Sequence, residues 1–234
     1  MDSQNTPVKY NAKTLLLIDG AYLTAWSQSL KERTGIQIDN LKLRLLFEKM
    51  IGSRFFKAWY VNSAPTGDVQ KYYDKLVVPY PKGPGFYMEL YSQPEGSRRQ
   101  KFVDNAIAER LNKAALAGFE HVVLVTGDGD FFTTLETLRK ERMMEVWVAG
   151  FKGEIKGRDS AWQWQDGISR WLKNNSDLCI YLSDYIEELK LDRYTPEEIA
   201  AYKERLKREN TEEPCDGCNV SPVECEGQPC ECQA

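Results

Sequence analysis

Histidine occurs once in the 234 residues, at His121, inside an apolar run. That scarcity removes Ser-His-Asp catalysis, two-histidine ribonuclease chemistry and HExxH zinc hydrolysis. Long apolar runs are missing as well, and nothing approaches the roughly 18–20 residues that a membrane span requires. The leading stretch MDSQNTPVKYNAK has neither the basic nor the apolar region of a signal peptide. A cytoplasmic protein without a membrane partner is therefore expected. Cysteine is rare outside the C-terminal tail: five of the six lie at Cys215, Cys218, Cys225, Cys230 and Cys232. The sixth, Cys179, sits among Leu178, Ile180, Tyr181 and Leu182 and reads as a buried free thiol.

An excess of basic charge is also lacking, since the net charge is −4. Its distribution matters more than its sum. From Thr211 to Ala234 there are six acidic residues and no Lys or Arg, which leaves 31 basic against 29 acidic residues in the body. A body near +2 can hold phosphates locally, although it is no strongly basic footprint.

What is present is a regular alternation of strand and helix signals. Short apolar runs at Thr14–Ile18, Phe55–Val61, Phe86–Tyr91, His121–Val125, Met144–Ala149 and Leu178–Leu182 read as strands. Helices are expected after Gly20 through Leu30, at Asn40–Ile51, Asp68–Val77, Val103 to the stop at Gly118, Asp130–Lys140, Ala161–Lys173 and from Ser183. Such alternation predicts an α/β fold: an open, mainly parallel Rossmann-like sheet with helices on both faces. Near Leu191 the pattern changes. Thr195-Pro196-Glu197-Glu198 starts a highly charged helix over 191–210, and 211–234 is an acidic, Cys-rich tail unable to bury a core.

Functional groups of an open parallel sheet collect beyond the carboxyl ends of its strands, where strand order reverses. Asp19 ends the first strand, and Asp128 and Asp130, in Thr126-Gly127-Asp128-Gly129-Asp130, follow the fourth. Asp104, at the start of a helix, supplies a fourth carboxylate. Carboxylates gathered without compensation repel one another, so a cluster of this kind calls for protonation or a cation. Oxygen-only ligands favour Mg²⁺ or Mn²⁺, which can activate water and neutralise a phosphodiester. Gly127 and Gly129 would let the backbone turn tightly between the aspartates. The competing reading is that all four are turn and capping residues.

Leu16-Leu17-Ile18-Asp19-Gly20, Lys101-Phe102-Val103-Asp104 and Thr126-Gly127-Asp128-Gly129-Asp130-Phe131 stand in an order and spacing that resembles the NYN domains. More narrowly they are similar to the LabA-like group of the PIN-like nucleases, as is the later stretch from Ile168-Ser169-Arg170-Trp171-Leu172 through Asp177 and Ile180. The resemblance implies a metal-dependent nuclease domain over 13–190, usually acting on RNA rather than DNA. Asp19, Asp104, Asp128 and Asp130 would be its catalytic and metal-holding cluster. Two positions depart from the family's pattern: Tyr22 where Asn is frequent, and Arg110 near where a further acidic residue is usual.

Arg98, Arg99 and Lys101, just ahead of Asp104, could hold backbone phosphates, and Lys152, Lys156 and Arg158 form a second basic group in what reads as a loop. Tyr22 and Trp26 are candidates for stacking on bases, whereas Trp162, Trp164 and Trp171 are expected in the core. In the tail, Cys215, Cys218, Cys230 and Cys232 could hold Zn²⁺, although zinc-ribbon spacing is incomplete. The same acidic tail could shield the phosphate-binding surface, which truncation at residue 210 would test through a gain in activity. Two other classes stay open: a PIN-like module that binds RNA or protein without cutting, and an oligomerising scaffold. A homo-oligomer is compatible with all three.

Overall fold

The run Thr14–Asp19 is buried at every position and forms β1, the centre of the computed structural model, which describes residues 13–63, 70–91, 101–157 and 161–191. Around it stand β2 (Lys57–Ser63), β3 (Tyr87–Tyr91), β4 (His121–Val125), β5 (Glu145–Gly150) and β8 (Leu178–Tyr181). Their order is β3-β2-β1-β4-β5-β8, and every neighbouring pair is parallel. The chain builds outward from β1 to β3, then crosses to β4 and builds the other way. The reversal therefore falls between β1 and β4, in register from Thr14 opposite His121 to Ile18 opposite Val125.

Strands buried on both faces need helices on both faces. On one side α1 (Gly20–Thr34) and α2 (Asn40–Ile51) cover Leu16, Ile18 and Val123 with Leu23, Trp26, Leu43 and Phe47. On the other, α4 (Lys101–Leu116) and α5 (Phe132–Lys140) cover Leu15, Leu17 and Leu124 with Ile107, Leu111, Leu135 and Leu138. Leu17 has no exposed surface, and its truncation to Ala would cost about 2–5 kcal/mol. Helix α3 (Gln70–Leu76) precedes β3, and α1 and α2 both end at left-handed glycines, Gly35 and Gly52. The α/β architecture expected from the sequence is the one observed. The charged helix of 191–210 and the tail lie outside the described residues.

One segment is different. The expected helix Ala161–Lys173 is instead β7 (Trp162–Asp166), antiparallel to β6 (Lys152–Lys156), followed by a single helical turn and a little more, α6 (Arg170–Asn174). The sequence Trp162-Gln163-Trp164-Gln165 alternates with period two, a strand signature, and its cross-strand pairing outweighs weak helical propensity. Trp162, Trp164 and Trp171 are accordingly not core residues: they are 41%, 67% and 62% exposed. A two-stranded ribbon has no further layer to cover its outer face, so Trp162 and Trp164 stay at the surface, while Trp171 lies on the outward side of α6. After β8 the helical stretch expected from Ser183 is a 3-10 turn at Leu182–Tyr185 followed by the short α7 (Ile186–Leu189).

Candidate active site

Asp19 is the last residue of β1 and at the same time the N-cap of α1. Its Oδ1 accepts the Tyr22 backbone N–H at 3.1 Å, which satisfies one of the free donors of a helix start. Its Oδ2 accepts the Thr126 hydroxyl at 3.0 Å, so the bond spans the gap between β1 and β4. Thr126 Oγ1 in turn accepts the Asp128 N–H at 3.3 Å. Thr126, wholly buried, thereby ties the first aspartate to the second. It stands inside the quoted motif, yet composition gave no reason to single it out; a hydroxyl between two carboxylate-bearing turns is the signal that was there.

Asp128 caps the 3-10 turn Gly129–Phe131, its Oδ1 accepting the Asp130 N–H at 2.9 Å. Asp130 is exposed, and Asp104, in the first turn of α4, is half-buried above the same strand ends. The glycines have a role other than the one expected. Neither takes a left-handed backbone; Gly127 is needed because a Cβ there would fall 1.7 Å from the Gly167 carbonyl oxygen. The loop before α6 lies that close, with the Ser169 N–H donating to the Gly127 carbonyl at 3.2 Å.

Charge at this end of the sheet is uncompensated. Among the described residues, none of the four aspartates forms an ion pair with Lys or Arg. Burial pushes the Asp19 carboxyl above its ordinary pKa against the hydrogen bonds from Tyr22, Thr126 and Ala21, and the Asp128 charge adds to the rise. Asp104 is pushed up to about 6, by burial first and then by the charges of Asp128, Asp19 and Asp130. Asp104 therefore lies within the field of the other three, and Asp19 within that of Asp128.

They are not drawn into a closed cage: among the described residues, no three such side chains stand close enough to hold a metal ion as they are. Two of the four are held back by capping duties, and mutual repulsion spreads the rest. The donor set nevertheless suits a hard divalent cation, being all oxygen and short of positive charge.

The other nominated residues divide. Tyr22 is a packing residue: its hydroxyl donates to the Gly167 carbonyl at 3.0 Å and accepts the Phe151 N–H at 2.9 Å, and its ring leans on Trp26 and Phe151. Trp26 is buried, stacked on Phe151 at 5.6 Å, so its ring offers no face to a base, while Tyr22 is half-buried. Lys152 and Lys156 lie on β6, not in a loop, paired with Asp184 and Glu32 respectively, both at 3.0 Å. Nothing is described of the Lys101 side chain, and Arg98, Arg99, Arg158 and Cys215, Cys218, Cys230 and Cys232 lie outside the described residues. His121 starts β4, at the opposite end of the strand from the aspartates, with its ring against Trp147 at 4.6 Å. Cys179 is only half-buried, its thiol 3.1 Å from the Ser176 hydroxyl.

The comparisons with known proteins agree with this fold. The sequence profile of the NYN domain matches residues 13–177, which spans β1 to the threshold of β8. Among solved structures, a protein of unknown function from Vibrio parahaemolyticus RIMD 2210633 superposes with a TM-score of 0.56 at 19% identity, over 77% of this chain and 96% of that one. That similarity speaks for the fold alone. No curated protein matches the sequence.

Proposed function

The chain belongs to the NYN domain family, a group with the PIN-like nuclease fold, and on that premise we propose that it is a Mg²⁺- or Mn²⁺-dependent nuclease hydrolysing phosphodiester bonds, in RNA rather than DNA. The observation that carries the reading is the set of four aspartates, without a counter-cation among the described residues, that gathers from the carboxyl ends of β1 and β4 and the start of α4, where the strand order reverses. A divalent cation supplies charge neutralisation at the phosphate and a more acidic water. The chain's own part is positioning. Asp19 is fixed by Tyr22 and Thr126, Asp128 by its cap on Asp130, and Asp104 closes the site from α4. A cytoplasmic location is part of the same proposal. Among the described residues, no helix is long and apolar enough to cross a membrane.

The test is cleavage of labelled single-stranded RNA and of structured tRNA with Mn²⁺, Mg²⁺ or EDTA. Asp19→Asn and Asp128→Asn are expected to lower metal-dependent cleavage by about 10²-fold or more. A second reading, a module that binds RNA or protein without cutting, draws on Arg110. Near where the family tends to carry an acidic residue, this guanidinium donates to Glu89 at 2.8 Å and lies over Trp59 at 3.8 Å. Binding without cleavage in the wild type, unchanged in both variants, would favour that reading.

A further inference from the structure

Trp171 is 62% exposed at the second position of α6, beside the acidic loop. Helix α6 packs against the turn Gly129–Phe131, and the indole Cδ1 lies 3.7 Å from where a side chain on Gly129 would begin. Its ring leans on Phe132 with centroids 5.5 Å apart and planes tilted by 38°. Phe132 thus supports the indole from the protein side, while most of its surface faces solvent. Its neighbour Arg170 is exposed and has no ion-pair partner among the described residues, unlike Lys152, Lys156 and Lys173, which are all paired.

An apolar ring of this size is costly to leave in water. Here it stands beside a loop whose two carboxylates flank Gly129, and the residue before it, Arg170, carries an exposed guanidinium with no ion-pair partner among the described residues. We propose that Trp171 is a base-stacking platform and Arg170 its phosphate contact, together forming a subsite for one unpaired nucleotide next to the Asp128–Asp130 loop. The inference rests on the nuclease reading for what the neighbouring carboxylates do, but not for the binding itself. A base can lie flat on an indole only where no neighbouring base covers its face, as in an unpaired strand or at a strand end. The subsite therefore sets the substrate class: single-stranded nucleic acid, or the unpaired loops and ends of a folded RNA, engaged by stacking that tolerates sequence. A base-paired stem offers only its edges and backbone to the same ring.

The test is binding, in EDTA so that cleavage does not intervene, of a short fluorescein-labelled single-stranded oligoribonucleotide and of its duplex, measured by fluorescence anisotropy on the full chain. Trp171→Ala is expected to weaken single-strand binding by about tenfold or more, with duplex binding little changed and Trp171→Phe retaining most of the affinity. Trp164→Ala, on the exposed ribbon, serves as a control and is expected to have no such effect. Photocross-linking of a 5-bromouridine strand to wild-type protein gives a readout free of folding effects, with the cross-link expected at Trp171. Single-strand affinity unchanged in Trp171→Ala, equal loss of single-strand and duplex binding, no measurable binding by the wild type, or a cross-link mapping elsewhere would each overturn the subsite. Loss of metal-dependent cleavage with the subsite intact would instead strike the nuclease reading, so the two failures are distinguishable. A fall in self-association of Trp171→Ala with nucleotide binding preserved would reassign the ring to an interface between copies of the chain, and also overturns the proposal.

Discussion

Two places in this molecule gather charge wholly or partly out of water, and they are built in opposite ways. Arg44 and Glu48, one turn apart on α2, are both buried and satisfied from several sides. Arg44 donates to Glu48 at 2.9 Å and to the Pro84 carbonyl at 2.6 Å; Glu48 also accepts the Phe55 N–H at 3.1 Å and the Tyr80 hydroxyl at 3.0 Å. The Tyr80 ring covers the guanidinium at 4.3 Å. At the carboxyl ends of β1 and β4, Asp19 and Asp128 have hydrogen-bond donors but, among the described residues, no cation. Buried charge that serves structure arrives with its partner; charge kept for a ligand is left short of one. That contrast is the physical content of assigning function to the second place and not the first.

The sharpest way to break the contrast is to remove one half of the satisfied pair. Arg44→Ala strands a buried carboxylate and is expected to cost about 3–5 kcal/mol in urea or thermal unfolding, with cleavage per folded molecule unchanged. A small stability effect would show the pair to be looser than its geometry. On the other side, Thr126→Val removes the hydroxyl that fixes Asp19 and receives Asp128. Affinity for Mn²⁺ is expected to fall by about tenfold, read by calorimetry, with far less effect on the fold. An unchanged affinity would leave Thr126 a structural residue only.

The smallest effect separates the two places by sign. Asp104 loses its proton near pH 4 in the unfolded chain but only near 6 when folded. Between those values the folded state binds more protons, so its stability falls as pH rises and the full penalty is present above about 6. Asp104→Asn is therefore expected to stabilise the metal-free protein at pH 7.5, by roughly 1 kcal/mol once solvent screening is allowed for, and to change little near pH 3.5. Thermal unfolding at the two pH values checks this, and destabilisation at pH 7.5 would count against an uncompensated cluster.

Where burial was complete, the sequence was readable. The runs of β1 and β4 are apolar throughout because both faces are covered, and Asp19 and Asp128 announce themselves by ending such runs. Helix α1 continues four residues past Leu30, to a left-handed glycine at Gly35 that marks the stop. The ribbon of β6 and β7 was not read, because its stabilisation comes from pairing across the hairpin and not from burial of a regular face. Trp171 departs from the expected core for a different reason: aromatic content signals burial on average, and only the position of α6 against Gly129 shows this ring outside. Thr126 and the Gly127–Gly167 contact depend on the approach of segments distant in sequence, which no local pattern encodes.

The central claim is that the four aspartates await a divalent cation, and Mn²⁺ binding followed by electron paramagnetic resonance tests it most directly. The account predicts bound Mn²⁺ at pH 7.5, weaker binding at pH 5 where Asp104 holds its proton, and loss of binding in Asp19→Asn and Asp128→Asn. No binding at pH 7.5, or binding that both substitutions leave unchanged, would contradict it and return these carboxylates to helix capping.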